Sequence, residues 1–206
     1  MAMHNSDNDF YGKQEDEKIL YVVRPHPIAT TANLIKVYLI SASVFIVLVV
    51  LGSQIETLWS LFFLLGLILA VVMVVVGTKI VTDYQIRNIA YITDRRLVRF
   101  EPTTLFATNS RTLTWDEVVK VKTYPPNMLW KQLAIGNVVV HARTPGRPDE
   151  HYGSVGITAD DIQLTDVFYY KDLGNYIDKI LFTYKQKPAG VLEIRPFVPK
   201  PKGERY

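Results

Sequence analysis

Two stretches of this chain carry almost no charge, and each is long enough to cross a bilayer. The segment 34–52 begins LIKVYLISASVFIVLVVL, and its only ionisable side chains, Lys36 and Tyr38, stand near its start. The segment 58–78 begins LWSLFFLLGLILAVVMVVVG and holds no charged residue. About 20 residues rising about 1.5 Å each match a hydrocarbon core about 30 Å thick. A lipid-exposed strand would leave its N–H and C=O groups without partners at that depth, so Val74, Val75 and Val76 do not argue against helix. The competing reading, a hairpin buried in a soluble core, requires more apolar surface elsewhere than a chain of 206 residues supplies.

Only SQIET, residues 53–57, separates the two segments, which makes the helices antiparallel neighbours with nothing but a turn on the far side. That turn holds Glu56 and no lysine or arginine, whereas Lys18, Arg24 and Lys36 precede the hairpin and Lys79, Arg87, Arg95 and Arg96 follow it. The bias predicts a two-span protein of the plasma (inner) membrane with both termini cytoplasmic. The first twenty residues lack the basic and apolar pattern of a secretory leader, so both spans are expected to persist. Tyr38 and Trp59 fall at span ends, where amphipathic rings prefer the headgroup layer. Ser41, Ala42 and Ser43, with Gly66 and Ala70, are small enough to let the two helices approach closely.

After Lys79 the pattern changes to short runs rich in Val, Ile, Thr and Tyr. Strands are expected at 86–93, 96–101, 111–113, 118–124, 137–143, 150–157 and 162–168, broken by turn signals at 93–95, 125–127 and 145–148. Tyr170, Leu173, Tyr176, Ile177, Ile180, Leu181 and Tyr184 then recur at steps of three and four, the stripe of a helix that closes one end of the sheet. Residues 79–185 therefore read as one small domain, mostly β with a terminal helix. Upstream, ILYVV within the segment 17–33 is expected to add an edge strand before the chain reaches the membrane. The acidic start, 1–16, and the basic, proline-containing end, 186–206, read as solvated tails, the first of them disordered.

The stretches EKILYVVRPHP, YITDRRLVRFE, TLTWDEVVKVK, LAIGNVVVHA and DLGNYIDKIL, in this order around two spans, resemble the bacterial pleckstrin-homology (PH) domain membrane proteins. The resemblance covers residues 17–181, and the 93–96 turn and the 133–137 segment are its more specific parts. It implies an α+β membrane protein: a transmembrane helical hairpin plus a PH-like seven-stranded bent sheet or barrel capped by a C-terminal helix. It also implies roles in oligomeric scaffolding and envelope stress tolerance. Glu101-Pro102-Thr103-Thr104 stands where the family commonly has a glycine-containing turn, which leaves the shape of that loop open.

No catalytic constellation is legible. The chain has no cysteine, its histidines (His4, His26, His141, His151) are scattered, and no P-loop, dinucleotide fingerprint or serine elbow occurs. Of the carboxylate pairs Asp116-Glu117 and Asp160-Asp161, neighbours on a strand point to opposite faces, so neither reads as an acid–base pair. A non-enzymatic scaffold is expected, without cofactor or metal and without nucleic-acid binding, whose partners are membrane lipids and either further copies of itself or other membrane proteins. Tyr124, Trp130, Phe168 and Tyr169 are its candidate partner-binding surface. The rival readings are an anionic-lipid sensor, with Arg24, Lys36, Lys79 and Arg87 as candidate headgroup contacts, and an accessory subunit of a transporter or envelope complex. Arg95-Arg96 is set aside as a headgroup site, being on the order of 20–40 Å of chain from the bilayer.

Overall fold

The computed structural model describes residues 6–54, 56–143 and 160–200. They form a mixed α+β protein of two compact units: one holds 27–87 together with 104–107, the other the remaining described residues.

The first unit is a pair of long apolar helices, α1 (Pro27–Ser53) and α2 (Trp59–Arg87), joined through a single 3-10 turn at Glu56–Leu58. Both exceed the expected spans. Pro27 opens α1 at the first helical position, where its missing N–H costs nothing. At the other end KIVTDYQIR stays helical, because each residue added to an existing helix gains a bond without a new nucleus. The strand expected from 86 therefore starts at Ile89, beyond the end of α2.

The helices pack antiparallel along a seam of small residues. A Cβ on Gly77 would stand 2.6 Å from Val37 Cγ1, one on Gly52 2.7 Å from Phe62 Cβ, and one on Gly66 3.3 Å from Phe45 and Leu48. Ser41 and Gly66 are buried in the seam, whereas Ala42 and Ser43 face outward. Val37 is β-branched and held in one rotamer in a helix, so it cannot swing aside. Gly77→Ala is therefore expected to destabilise the hairpin by about 1–3 kcal/mol. The thermal midpoint in detergent should fall, and adding Val37→Ala should restore it; an unchanged midpoint for the single variant refutes this packing.

Only 6% of each helix's apolar window is buried inside the molecule. A core helix of a soluble protein would be covered on most sides, so these faces, with Leu64, Ile68 and Val75 exposed, are left for another apolar medium. The two helices are long and apolar enough to cross a membrane, consistent with a two-span membrane protein.

The second unit contains, among the described residues, two antiparallel sheets. β1 (Ile19–Val23), β2 (Ile89–Thr93), β3 (Arg96–Pro102) and β4 (Thr108–Thr114) pair in chain order in one; β5 (Val118–Tyr124), β6 (Ile135–Ala142) and β7 (Ile162–Phe168) pair in chain order in the other. A short helix, α3 (Met128–Gln132), joins β5 to β6, and α4 (Tyr170–Gln186) follows β7. The ILYVV run is the expected edge strand, 118–124 and 162–168 lie where expected, and the strands near 111 and 137 are longer than their apolar runs suggested. The expected 150–157 strand, the 145–148 turn, His4 and His151 lie outside the described residues.

One core lies between the sheets and α4. Leu20, Ala90, Ile92, Leu97 and Leu113 come from the first sheet, Val138, Val140, Ile162 and Leu164 from the second, and Leu173, Ile177 and Ile180 from the apolar stripe of α4. Trp115 fills its centre and donates its indole N–H to the Thr93 carbonyl, 3.1 Å away.

Both expected tails are packed where they are described. Phe10 is buried on the outer face of the four-stranded sheet, stacked on Tyr91 at 4.6 Å beside Ile89, Val98 and Phe100. Burial pushes the pKa of the Tyr91 phenol up to about 12, and its hydroxyl donates to the Ser6 carbonyl. At the other end Val191, Ile194 and Phe197 join the main core, the Phe197 amide donates to Leu20 O, and the Tyr176 hydroxyl donates to Arg195 O. Charge-rich composition made these segments look solvated, but a few apolar residues among the charges suffice to hold each against an uncovered apolar face.

Candidate functional site

The strand 162–168, IQLTDVF, alternates only as far as Thr165: Ile162 and Leu164 point into the core, but the next inward residue is Val167. The extra residue is a bulge. Val138 pairs with Leu164 and Gly136 with Val167, so two residues of β7 oppose Asn137 alone. Asp166 takes the left-handed conformation there, φ 53°, which an aspartate tolerates better than most side chains.

The bulge turns Asp166 into a junction. Its amide donates to Asn137 Oδ1 (3.0 Å), its carbonyl accepts from the His26 amide (2.8 Å), and its carboxylate accepts from Trp130 Nε1 (2.7 Å). One residue thus ties together β6, the segment leading to α1 and the helix α3. Two further non-glycine residues adopt left-handed conformations beside it: Ala134, φ 56°, just past the end of α3, and Tyr169, φ 51°, before α4. The Tyr169 amide donates to the Ala134 carbonyl at 2.8 Å. Such positions cost about 1–3 kcal/mol each and persist only where surrounding structure determines them.

This frame carries α3. Asn127 caps it by accepting from the Trp130 amide at 2.9 Å, and Trp130 turns its ring inward to Asp166. Met128 and Leu129 are left outward, 78% and 66% exposed, with Leu133 beside them at 43%. An apolar tip on a segment this firmly bonded is a surface patch held in one shape, not a floppy loop.

All four residues expected to form a partner-binding surface gather at this end of the three-stranded sheet. Tyr124 pairs with Asn137 and its hydroxyl accepts from Gln163 Nε2; Phe168 pairs with Ile135 and its ring lies 4.0 Å from Tyr169 and 5.0 Å from His26. They are half-buried and serve as the base, however. The exposed residues, Met128, Leu129 and Leu133, were missed because they look like ordinary core residues in the sequence; the adjoining Pro125-Pro126-Asn127 was the signal that this run sits in a connection. Burial pushes the His26 imidazole below its ordinary value, so it adds no charge here near neutral pH.

The four candidate headgroup bases are divided between the units, Arg24 in the β-rich one and Lys36, Lys79 and Arg87 in the hairpin. Arg24 is ion-paired with Asp7 at 2.7 Å. In the hairpin, the packing that sets Val37 against Gly77 brings Lys36 and Lys79 to one level, and Arg87 stands two turns further along α2. Elsewhere His141 Nδ1 lies 2.8 Å from Asp161 Oδ2, and Asp161 Oδ1 accepts from the Ala142 amide, so the buried Asp161 closes a strand end while Asp160 is exposed. No group of three potential metal ligands occurs among the described residues. Comparison with family models, with curated proteins and with solved structures returned no match.

Proposed function

We propose that this chain is a two-span protein of the bacterial plasma membrane, related to the PH-domain membrane proteins, that works without catalysis as a scaffold at the cytoplasmic face. In this reading the hairpin is an insertion between the first and second strands of a PH-like domain. Its support is the order of elements: four antiparallel strands, then three, each set paired in chain order, then a helix packed on their common core. The outward apolar faces of α1 and α2 support the membrane, and the bases flanking the hairpin, against a turn without any, support cytoplasmic ends.

The observation that carries the scaffold function is the Met128–Leu129–Leu133 tip on its strained, hydrogen-bonded base. Rigid apolar side chains presented to solvent favour a protein partner, because the ordering cost is met before binding. A photo-crosslinking residue at Met128, in full-length protein in native membranes, should give discrete protein adducts, including with a second copy. The same residue at the exposed Lys122 should not. Adducts with lipid alone, or none, would overturn the scaffold reading.

Lys36 and Lys79 at one level favour a second reading, an anionic-lipid site worth on the order of 1 kcal/mol per base. Reversing both charges should strip co-purifying anionic lipid from the protein; retention of that lipid counts against the site.

A further inference from the structure

We propose that the loop between β3 and β4 is a second, non-spanning membrane contact, with Leu105 and Phe106 meeting the headgroup layer of the leaflet in which α2 ends. The inference rests on the reading of α1 and α2 as membrane spans. Its starting point is Phe106, 96% exposed, with Leu105 at 51% beside it, at the tip of a loop. A scattered surface leucine needs no explanation, but a wholly exposed phenylalanine beside another apolar residue at a loop tip is a patch in search of an apolar medium.

Three features name that medium. First, residues 104–107 pack with the hairpin, and the Arg87 guanidinium, at the last residue of α2, donates to the Thr104 carbonyl at 3.3 Å. Second, the final turns of α2 are amphipathic outside, as a segment crossing an interface is: Ile80, Tyr84 and Ile86 are exposed among the exposed Lys79, Thr82 and Asp83. The tip therefore continues the outer surface of the helix pair.

Third, the heights bring the loop close to the headgroups. The uncharged stretch 37–53 rises about 25 Å, short of a core about 30 Å thick, so Lys36 and Lys79 sit at the core's margin and extend their ammonium groups outward. From Lys79 to Arg87 the helix climbs about 12 Å, through a headgroup layer about 5–8 Å deep. Arg87 therefore stands just beyond the outer edge of that layer, so the loop it holds meets the headgroups from the water side.

The loop is also built to leave water. Thr104 Oγ1 accepts from the amides of Phe106 (3.4 Å) and Ala107 (3.0 Å), and the Thr104 amide donates to Ala107 O. These amides have partners before they meet the low dielectric of the interface, where an unpaired one would oppose insertion.

The chain has no cysteine, so Phe106→Cys gives a single labelling site, and at an exposed position it leaves folding untouched. The full-length variant, carrying an environment-sensitive nitrobenzoxadiazole label, is reconstituted in phosphatidylcholine–phosphatidylglycerol vesicles. Ile68→Cys on the exposed face of α2 is the hydrocarbon reference and the free dye in buffer the aqueous one. The label at 106 should emit blue of the free dye and be quenched more by shallow than by deep nitroxide lipids, whereas position 68 should favour the deep quencher. Emission at 106 like that of the free dye, or a blue shift that no lipid nitroxide quenches, overturns the proposal while a lipid-like signal at 68 leaves the spans intact. An aqueous signal at 68 removes the spans themselves and the loop contact with them.

Discussion

Glu17→Ala is expected to destabilise the chain by about 3 kcal/mol, because it leaves a guanidinium in a half-closed site without its counter-charge. The Glu17 side chain is wholly buried and its two oxygens meet Arg96 Nε at 2.9 Å and Nη2 at 2.8 Å, the paired geometry that suits a guanidinium best. The Thr93 hydroxyl lies 2.8 Å from Oε1, and the Gln14 amide donates to Oε2 at 3.0 Å. Around this pair the Lys18 amide donates to Asp94 Oδ1, the Asp94 amide returns a bond to Lys18 O, Arg96 reaches Gly12 O at 2.6 Å, and Arg95 meets Gln14 Oε1. The 93–96 turn, basic enough to invite a ligand, thus uses its polar groups to fasten the N-terminal segment. Denaturant unfolding of the detergent-solubilised protein measures the loss; a midpoint equal to wild type refutes it.

The same carboxyl sets an acid limit. Burial by itself raises its pKa, but the bonds from Arg96, the Gln14 amide and Thr93 outweigh burial and hold it below the ordinary 4.5. A group with a depressed folded-state value stabilises the fold above its unfolded value, and that contribution disappears as pH falls through the folded-state value. Glu17→Gln should therefore be less stable than wild type at neutral pH, and the gap should close below the ordinary carboxylate range. A gap that persists into acid would show that shape, not charge, explains the site.

Trp115→Ala should be costlier still, about 3–5 kcal/mol, the usual range for emptying a fully buried aromatic site. Trp115 is 0% exposed between β4 and β5, at the point where the chain leaves one sheet for the other. Its ring touches the core that both sheets share, so its loss opens a cavity neither sheet can close alone. Trp115→Phe separates the two contributions: it keeps most of the volume and orphans the Thr93 carbonyl, for a loss of about 1–3 kcal/mol. Should the alanine variant unfold at the wild-type midpoint, the shared core is wrong.

How much of this was legible depends on how local each signal is. The helix pair, α4 and the strands 19–23, 118–124 and 162–168 are written in short-range patterns that need no partner to be read. β2 is harder: it is buried on both faces, because Ala90 and Ile92 meet the core while Ile89 and Tyr91 meet Phe10, so no alternation marks its start. The packing of 6–16 and of 188–197 was hidden because each is held by a few apolar residues among charges, and only the face awaiting them explains their burial.

The candidate surface follows the same division. The aromatic residues at its base were visible as aromatics, but the residue that organises them, Asp166, is one acid in an apolar run until the bulge is known. Its three partners come from positions 26, 130 and 137, which only sheet pairing brings within hydrogen-bond reach.

By itself, then, the sequence determined that two helices are long and apolar enough to cross a membrane and that a β-rich domain with a terminal helix follows them, because length, lack of charge and periodicity act within a few residues of chain. The tertiary structure alone decided that Met128 and Leu129 face outward, that Glu17 is locked beneath Arg96, and that Phe106 rides at the end of α2. Exposure and pairing of that kind are properties of which distant segment covers which face, and no local pattern carries them.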